Sequence, residues 1–285
     1  MSTNGRVTVM THGRPAETRA ALLELAAIAE RAGVALTLDA DETAKHGLRE
    51  PLPGILPDTP GGDDARFCVA LGGDGTILRA LRAYAHTRVP VFAVNFGQVG
   101  FLATVEPAAM LQGFERALAG TLDTLTLPAI AVDGPLDGVL ALNDVALHRT
   151  LGGRVAELSY GIGGEEVGSV RCDGLVIATP AGSTGYNLAN GGPVMAWGVT
   201  GLAVSFIAPH SLSARALVIA PDDELTVHNG SRGELMVSVD GRPVGELAPR
   251  ETLRVRFLDG VATLAQMEGS SFYRRLREKF GALSR

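Results

Sequence analysis

The sequence predicts an α/β layer joined to an all-β one: an N-terminal doubly wound α/β domain over residues 1–125 and an antiparallel, β-rich C-terminal domain over residues 126–261. Three observations carry this. Strand and helix signals alternate through the first part, and its strands Phe67 to Leu71 and Val89 to Phe96 are continuous apolar runs, the pattern of parallel strands covered on both faces. From about Thr126 the pattern changes to short strands separated by turns. Finally, 285 residues of which 46% are hydrophobic can fill two ordinary cores.

In order along the chain, Arg6 to Met10 reads as a strand, Ala16 to Ala32 as a helix closed by Gly33, and Val34 to Asp39 as a second strand. Ala40 to Ala65, rich in Pro, Gly and Asp without periodicity, reads as a long, mobile surface loop that the core does not need. Helices are expected from Thr76 to about Tyr84, and from Pro107 to Leu118 with Gly120 just beyond. The second domain should use strands at Gly138 to His148, Leu175 to Thr179, Leu202 to Ile207, Leu217 to Ile219, Leu235 to Val239 and Leu253 to Leu258. The turn signals are Asp133-Gly134, Gly152-Gly153, Gly163-Gly164, Asp240-Gly241 and Asp259-Gly260. The tail Ser271 to Leu283 places Phe272, Leu276 and Lys279 or Phe280 at helical spacing, a face to pack against another element.

Composition narrows the function. No apolar stretch approaches the roughly 20 residues that span a bilayer, and the start lacks a secretory pattern, so a cytosolic protein is expected, without a membrane partner. Cys68 and Cys172 are far apart inside apolar runs, where buried reduced thiols are expected. A net charge of −6 speaks against a nucleic-acid partner. Lys45 and Lys279 are the only lysines, so a phosphate clamp must use Arg or backbone amides. The six histidines suggest neither a zinc set nor a catalytic one, and His210 reads as structural.

Two constellations carry chemistry. Leu71-Gly72-Gly73-Asp74-Gly75-Thr76 lies between an expected buried strand and an expected helix. Glycines there permit positive φ and close approach of amides to a ligand, and the helix N-terminus adds about half a positive charge, so polyphosphate can bind without lysine. Asp74 serves either as a helix cap or as a metal partner or general base. The run lacks the third glycine of a dinucleotide G-x-G-x-x-G, and no G-x-x-x-x-G-K-[ST] occurs. The second constellation, Asp173 to Pro193, joins a carboxylate and a strand to a turn with Ser183, Thr184, Gly185 and Tyr186. It is either a polar turn or a nucleoside site with short donors and a flat ring. Asn143-Asp144, ending an apolar run, is a further polar pair or a turn.

GGDGT at 72–76, NFGQVGFL at 95–102, Asn143-Asp144, DGLVIATPAGSTGYNLANGGP at 173–193, PHSLSAR at 209–215 and SVDG at 238–241 together resemble the bacterial NAD kinases, in order and spacing. The resemblance implies transfer of the γ-phosphoryl of ATP, with Mg²⁺ or another divalent cation, to the 2′-hydroxyl of the adenosine ribose of NAD. It makes Asp74 the catalytic carboxylate, gives Gly72, Gly73, Gly75 and Thr76 to the phosphate turn, and offers Arg79 as a phosphate partner. It gives Asn143, Asp144, Arg171, Asp173, Ser183, Thr184, Gly185, Tyr186, Asn187, Leu188 and Ala189 to the NAD site, with Arg154, Asp240 and Arg242 near further binding positions. No protein metal ligands are implied. It also implies that the tail, residues 262–285, completes the first domain, and that the chain forms a homodimer or homotetramer sharing NAD sites. Asp144 stands where the family usually has Glu, Gly185 where it has Ala, and Ala181 where it has Thr or Ser. A diacylglycerol-type lipid kinase would share the GGDGT turn but gives no reason for residues 182–187. A dinucleotide-binding sensor without turnover could lose Asp74, which is present.

Overall fold

The computed structural model describes residues 5–48, 50, 52–97, 100–103, 105–150 and 154–281. The chain forms two compact units, one of residues 1–126 with 261–285 and one of residues 127–260.

The first unit is a parallel sheet with helices. Its strands are β1 (Arg6–Thr11), β2 (Ala35–Thr37), β3 (Ile55–Leu56), β4 (Phe67–Gly72) and β5 (Val91–Asn95), ordered β5-β4-β1-β2-β3. β4 and β5 are buried at every residue, as continuous apolar runs require in a sheet covered on both faces. Helix α1 (Pro15–Arg31) lays Leu22, Leu25 and Ala29 on that sheet, and Pro15 opens it where a missing N–H costs nothing. Helix α4 (Met110–Ala119) buries Phe114 edge-on to Phe67 and ends at the left-handed Gly120.

The segment expected to be an expendable loop is built into the core. Asp39 caps helix α2 (Ala40–His46) by accepting from the amide of Glu42 at 2.8 Å, Gly47 closes it in the left-handed region, and β3 pairs with β2. Glu42 is 2% exposed, yet its carboxylate accepts from Thr11 at 2.7 Å and pairs with Lys45 at 2.7 Å and Arg79 at 2.6 Å. Burial pushes the Glu42 carboxyl up, but the bonds from Lys45 and Thr11 outweigh it, so it lies below its ordinary range.

Helix α3 (Asp74–Ala83) follows β4 with only Gly73 between, two residues earlier than the sequence suggested. Registers Thr11↔Leu71 and Gly72↔Asn95 bring the carboxyl ends of β1, β4 and β5 together, the edge at which open α/β sheets bind ligands.

The second unit packs two antiparallel sheets over one core. The chain enters along β6 (Asp123–Asp133). The expected strand Gly138 to His148 is two, β7 (Val139–Ala141) and β8 (Asp144–Arg149), broken at Leu142 and Asn143. There follow β9 (Ala156–Ile162), β10 (Glu165–Cys172), β11 (Gly174–Ala178), the short helix α5 (Tyr186–Ala189), β12 (Leu202–Ile207), β13 (Leu217–Ile219), β14 (Leu225–Asn229), β15 (Leu235–Val239) and β16 (Arg242–Leu247). One sheet runs β13-β12-β11-β8-β15-β16; β10, β9, β14 and the start of β17 (Thr252–Gln266) form the other, with β6 beside β17 and β7 beside β6. Leu147, Ile177 and Val237 from the first meet Leu158, Val227 and Val255 of the second. β6, β9, β10, β14 and β16 went unread; β10 and β16 mix small, polar and exposed residues that leave no apolar run. The Gly152-Gly153 turn lies outside the described residues.

β17 (Thr252–Gln266) begins against β14 and ends against β5, returning the chain to the first unit. Helix α6 (Phe272–Phe280) then packs Phe272 and Phe280 around Phe101 of the same unit, with centroids 6.4 and 5.6 Å away. Cys68 and Cys172 are buried and free. No helix among the described residues is long and apolar enough to cross a membrane.

Candidate active site

Strand β4 delivers the glycine turn directly to a helix N-terminus, and its glycines serve room rather than left-handed backbone. None of Gly72, Gly73 and Gly75 has positive φ, contrary to the expectation; Gly73, the residue before the helix, is extended at φ −87°, ψ −174°. A Cβ on Gly72 would overlap the Thr76 side chain. The backbones of Gly73 and Gly97 pack so closely that a Cβ on Gly97 would lie 2.7 Å from the Gly73 Cα. A Cβ on exposed Gly75, in contrast, would meet nothing within 4 Å. The protein itself does not require glycine there. The first-turn amides of a helix have no intrahelical acceptors, so this open end is disposed to receive anionic oxygens.

Asp74 does not cap its helix. Its carboxylate turns to the following loop, where Oδ2 accepts from Phe101 N at 3.0 Å and Oδ1 from Leu102 N at 3.2 Å. Gly100 makes this possible, since a Cβ there would fall on the carboxylate. Burial raises the Asp74 pKa, and the two amides and the charges of Lys279 and Arg275 only partly offset the rise. A carboxylate above its ordinary range is a stronger base. Gln98 and Val99 of the NFGQVGFL motif lie outside the described residues. Arg79 needs correction as a phosphate partner: its guanidinium is held by Glu42 at 2.6 Å and by the Thr11 carbonyl at 3.0 Å.

In the second unit, Asp240 organises the polar pair rather than facing a ligand. Held at φ 47°, it accepts from the amides of Leu142 (3.2 Å), Asn143 (2.7 Å) and Asp144 (3.2 Å). That clamp presents Asn143, whose Oδ1 is buried without a hydrogen-bond partner. Such an acceptor costs about 1–3 kcal/mol unless something fills it. Asp144 is 7% exposed, and its carboxyl is pushed up to about 7, first by burial and then by the charge of Asp240.

The turn after β11 divides into a hidden half and an open half. Ser183 is fully buried, bonded to the Pro180 carbonyl at 2.7 Å and the Met195 amide at 2.9 Å, and Asn187 spans the Ser183 and Pro193 carbonyls at 3.0 Å each. Ser183 therefore builds the turn, a correction to its reading as a ligand contact, whereas Asn187 builds it through Nδ2 and keeps a buried Oδ1 without a hydrogen-bond partner. Thr184 and Leu188 are half-buried, Gly185 and Ala189 exposed. Tyr186 stacks on His148 with centroids 5.5 Å apart and planes 14° from parallel.

Asp173 and Arg171 lie elsewhere. The pairing of β8 with β11 sets Ala178 beside Asp144 and Gly174 beside His148, so Asp173 and Asn143 stand at opposite ends of one strand pair. Asp173 is bonded to Arg149 Nε at 2.6 Å and, with Arg149, Arg154, Arg171 and His210, lines one cavity. A neighbouring cavity of about 530 Å³ shares Arg154 and Arg171 and adds Arg232. His210, read as structural, has an exposed side chain. Arg242 is exposed at the start of β16, beside Asp240.

Residues 59–122 fit the ATP-NAD kinase N-terminal domain family and residues 142–265 the ATP-NAD kinase C-terminal domain family. An NAD kinase of Gemmatimonas aurantiaca is 36% identical over 220 residues, 75% of this chain and 76% of that one. The chain belongs to the NAD kinase family. An NAD kinase of Nitrosomonas europaea extends the family likeness to 91% of this chain and 89% of its own, at 34% identity. Two solved structures share the fold: yeast NADH kinase complexed with NADH, at TM-score 0.86 and 24% identity over 100% of this chain and 89% of that one, and an Archaeoglobus fulgidus NAD kinase in complex with ATP, at TM-score 0.73 and 24% identity over 98% of each.

Proposed function

We propose that this family member is an NAD kinase, transferring the γ-phosphoryl of ATP to the 2′-hydroxyl of the adenosine ribose of NAD to give NADP. The observation that carries the reading is the start of α3: a helix end left open at Gly75, with the raised carboxylate of Asp74 one residue away. The helix N-terminus receives the phosphates of ATP. Asp74 accepts the hydroxyl proton as the ribose oxygen bonds to the γ-phosphorus and the bond to the β-phosphate oxygen breaks, with ADP leaving. Asn143 Oδ1 accepts from a sugar hydroxyl or amide of NAD, and the free face of Tyr186 covers a flat ring. Mg²⁺ or another divalent cation enters with ATP, where it neutralises phosphate charge.

The separation of Asn143 from Asp173 supports a homodimer or homotetramer in which one subunit supplies Asn143 and its neighbour supplies Asp173 and Arg171 to a shared NAD site. Buried, free cysteines suit a cytosolic enzyme. A coupled assay for NADP from NAD, ATP and Mg²⁺, run beside diacylglycerol as acceptor and inorganic polyphosphate as donor, tests the reading. NADP formation supports it; phosphorylation of the lipid alone overturns it.

A further inference from the structure

We infer that Arg275, on α6, is a positioning residue for Asp74, holding the Phe101–Leu102 peptide group from its carbonyl side so that the amide stays aimed at the carboxylate. The contacts form one line. Arg275 Nη1 donates to the Phe101 carbonyl at 2.6 Å and to the Ala103 carbonyl at 2.7 Å. The Phe101 carbonyl and the Leu102 N–H belong to the same planar peptide unit and point in opposite directions across it. That N–H donates to Asp74 Oδ1 at 3.2 Å, and the neighbouring Phe101 N–H donates to Oδ2 at 3.0 Å. A guanidinium on the carbonyl polarises the peptide and strengthens the bond its N–H makes, so the charge of Arg275 reaches the carboxylate through one peptide.

Gly100 gives up its side chain to admit Asp74, and Phe101 is gripped by Phe272 and Phe280, both from the helix that carries Arg275. Charged groups around the pair come from two elements: Arg275, Glu278 and Lys279 from α6, and Glu106 beyond the loop. Arg275 keeps its charge, since burial lowers its pKa but Asp74, Glu278 and Glu106 raise it and an arginine starts far above neutrality. A tail helix docked only to cover the sheet needs Phe272 and Phe280; it does not need a guanidinium across two loop carbonyls.

The inference rests on Asp74 being the base, and the test separates the two. Wild type, Asp74→Asn, Arg275→Met, Arg275→Lys and the Asp74→Asn/Arg275→Met double variant are compared for kcat, for KM of NAD and ATP, and for the pH dependence of kcat. For Arg275→Met we expect kcat to fall about tenfold or more with both KM values within about twofold, and the acid limb to move to higher pH, because the carboxylate loses a cation and an aligned amide. Arg275→Lys keeps the charge but is shorter and loses the planar Nη1 donor that reaches both carbonyls, so it should restore the acid limb and only part of kcat. The double variant should turn over within about twofold of Asp74→Asn alone. Loss in Asp74→Asn with wild-type kcat and acid limb in Arg275→Met overturns this inference and leaves Asp74 as base. Near-native turnover of Asp74→Asn overturns the base itself. Should Arg275→Met fail to fold, Arg275→Lys decides: a lowered kcat on an unmoved acid limb supports the inference, and an unchanged kcat or a moved limb overturns it.

Discussion

Gly75→Ala separates a ligand cradle from a tight turn because the structure makes their consequences opposite in sign. Had Gly75 occupied the left-handed region, alanine would cost stability. It lies instead in the first turn of α3, without positive φ, and an added Cβ would meet nothing within 4 Å. Alanine within a helix is favoured over glycine by roughly 0.5–1 kcal/mol. With about 2–4 °C per kcal/mol for a chain of this size, the melting temperature should hold or rise by about 1–4 °C. The methyl group would project into the space where phosphate oxygens must approach the first-turn amides, so ATP affinity should fall about 100-fold, or roughly 2.7 kcal/mol. Isothermal titration of ATP and of NAD into the purified variant, beside differential scanning fluorimetry, reads both quantities. ATP binding at wild-type affinity would refute the cradle, and a melting temperature lowered by several degrees would refute the room argument.

Asp74→Asn keeps size but removes basicity, so turnover should drop about 100-fold or more at unchanged circular dichroism; near-native turnover would dismiss it as base. Asp144→Asn should give a pH-dependent stability gain. With its folded pKa raised to about 7, Asp144 keeps its proton longer than in the unfolded chain, so its contribution to stability falls as pH rises from about 4 to 7. The variant should match wild type near pH 4 and melt higher near pH 8; an equal shift at both would contradict the burial argument. Asp240→Ala strands three amides, so it should weaken NAD binding and lower stability by about 1–3 kcal/mol, while Asn143→Ala should weaken NAD binding with ATP binding kept. Unchanged NAD affinity in both would remove the Asn143 turn from the site.

What the sequence revealed follows physical lines. Continuous apolar runs betrayed β4 and β5, and a composition change marked the second unit, because burial on both faces and frequent turns leave direct traces. Helix α2 stayed hidden: seven residues with a single buried carboxylate show no apolar face, and the role of Glu42 depends on Thr11 and Arg79 arriving from elsewhere to join Lys45 of the same helix. Among site residues, motif order found Asp74 and Asn143 but could not tell a polar group facing a ligand from one satisfied inside. Ser183 and Asp240 look like donors and acceptors in sequence, and the fold spends them on its own backbone. The second glycine of NFGQVGFL was the one available sign of the Phe101–Leu102 anchor, and nothing local to Arg275 links it to Asp74.

The most direct test is NADP formation by the purified chain. Incubated with NAD, ATP and Mg²⁺ and read through an NADP-specific dehydrogenase, the wild type should accumulate NADP with ³¹P resonances of a 2′-phosphomonoester, and Asp74→Asn should retain about 1% of the rate or less. No NADP from the folded wild type, or equal rates from the two proteins, would contradict the account.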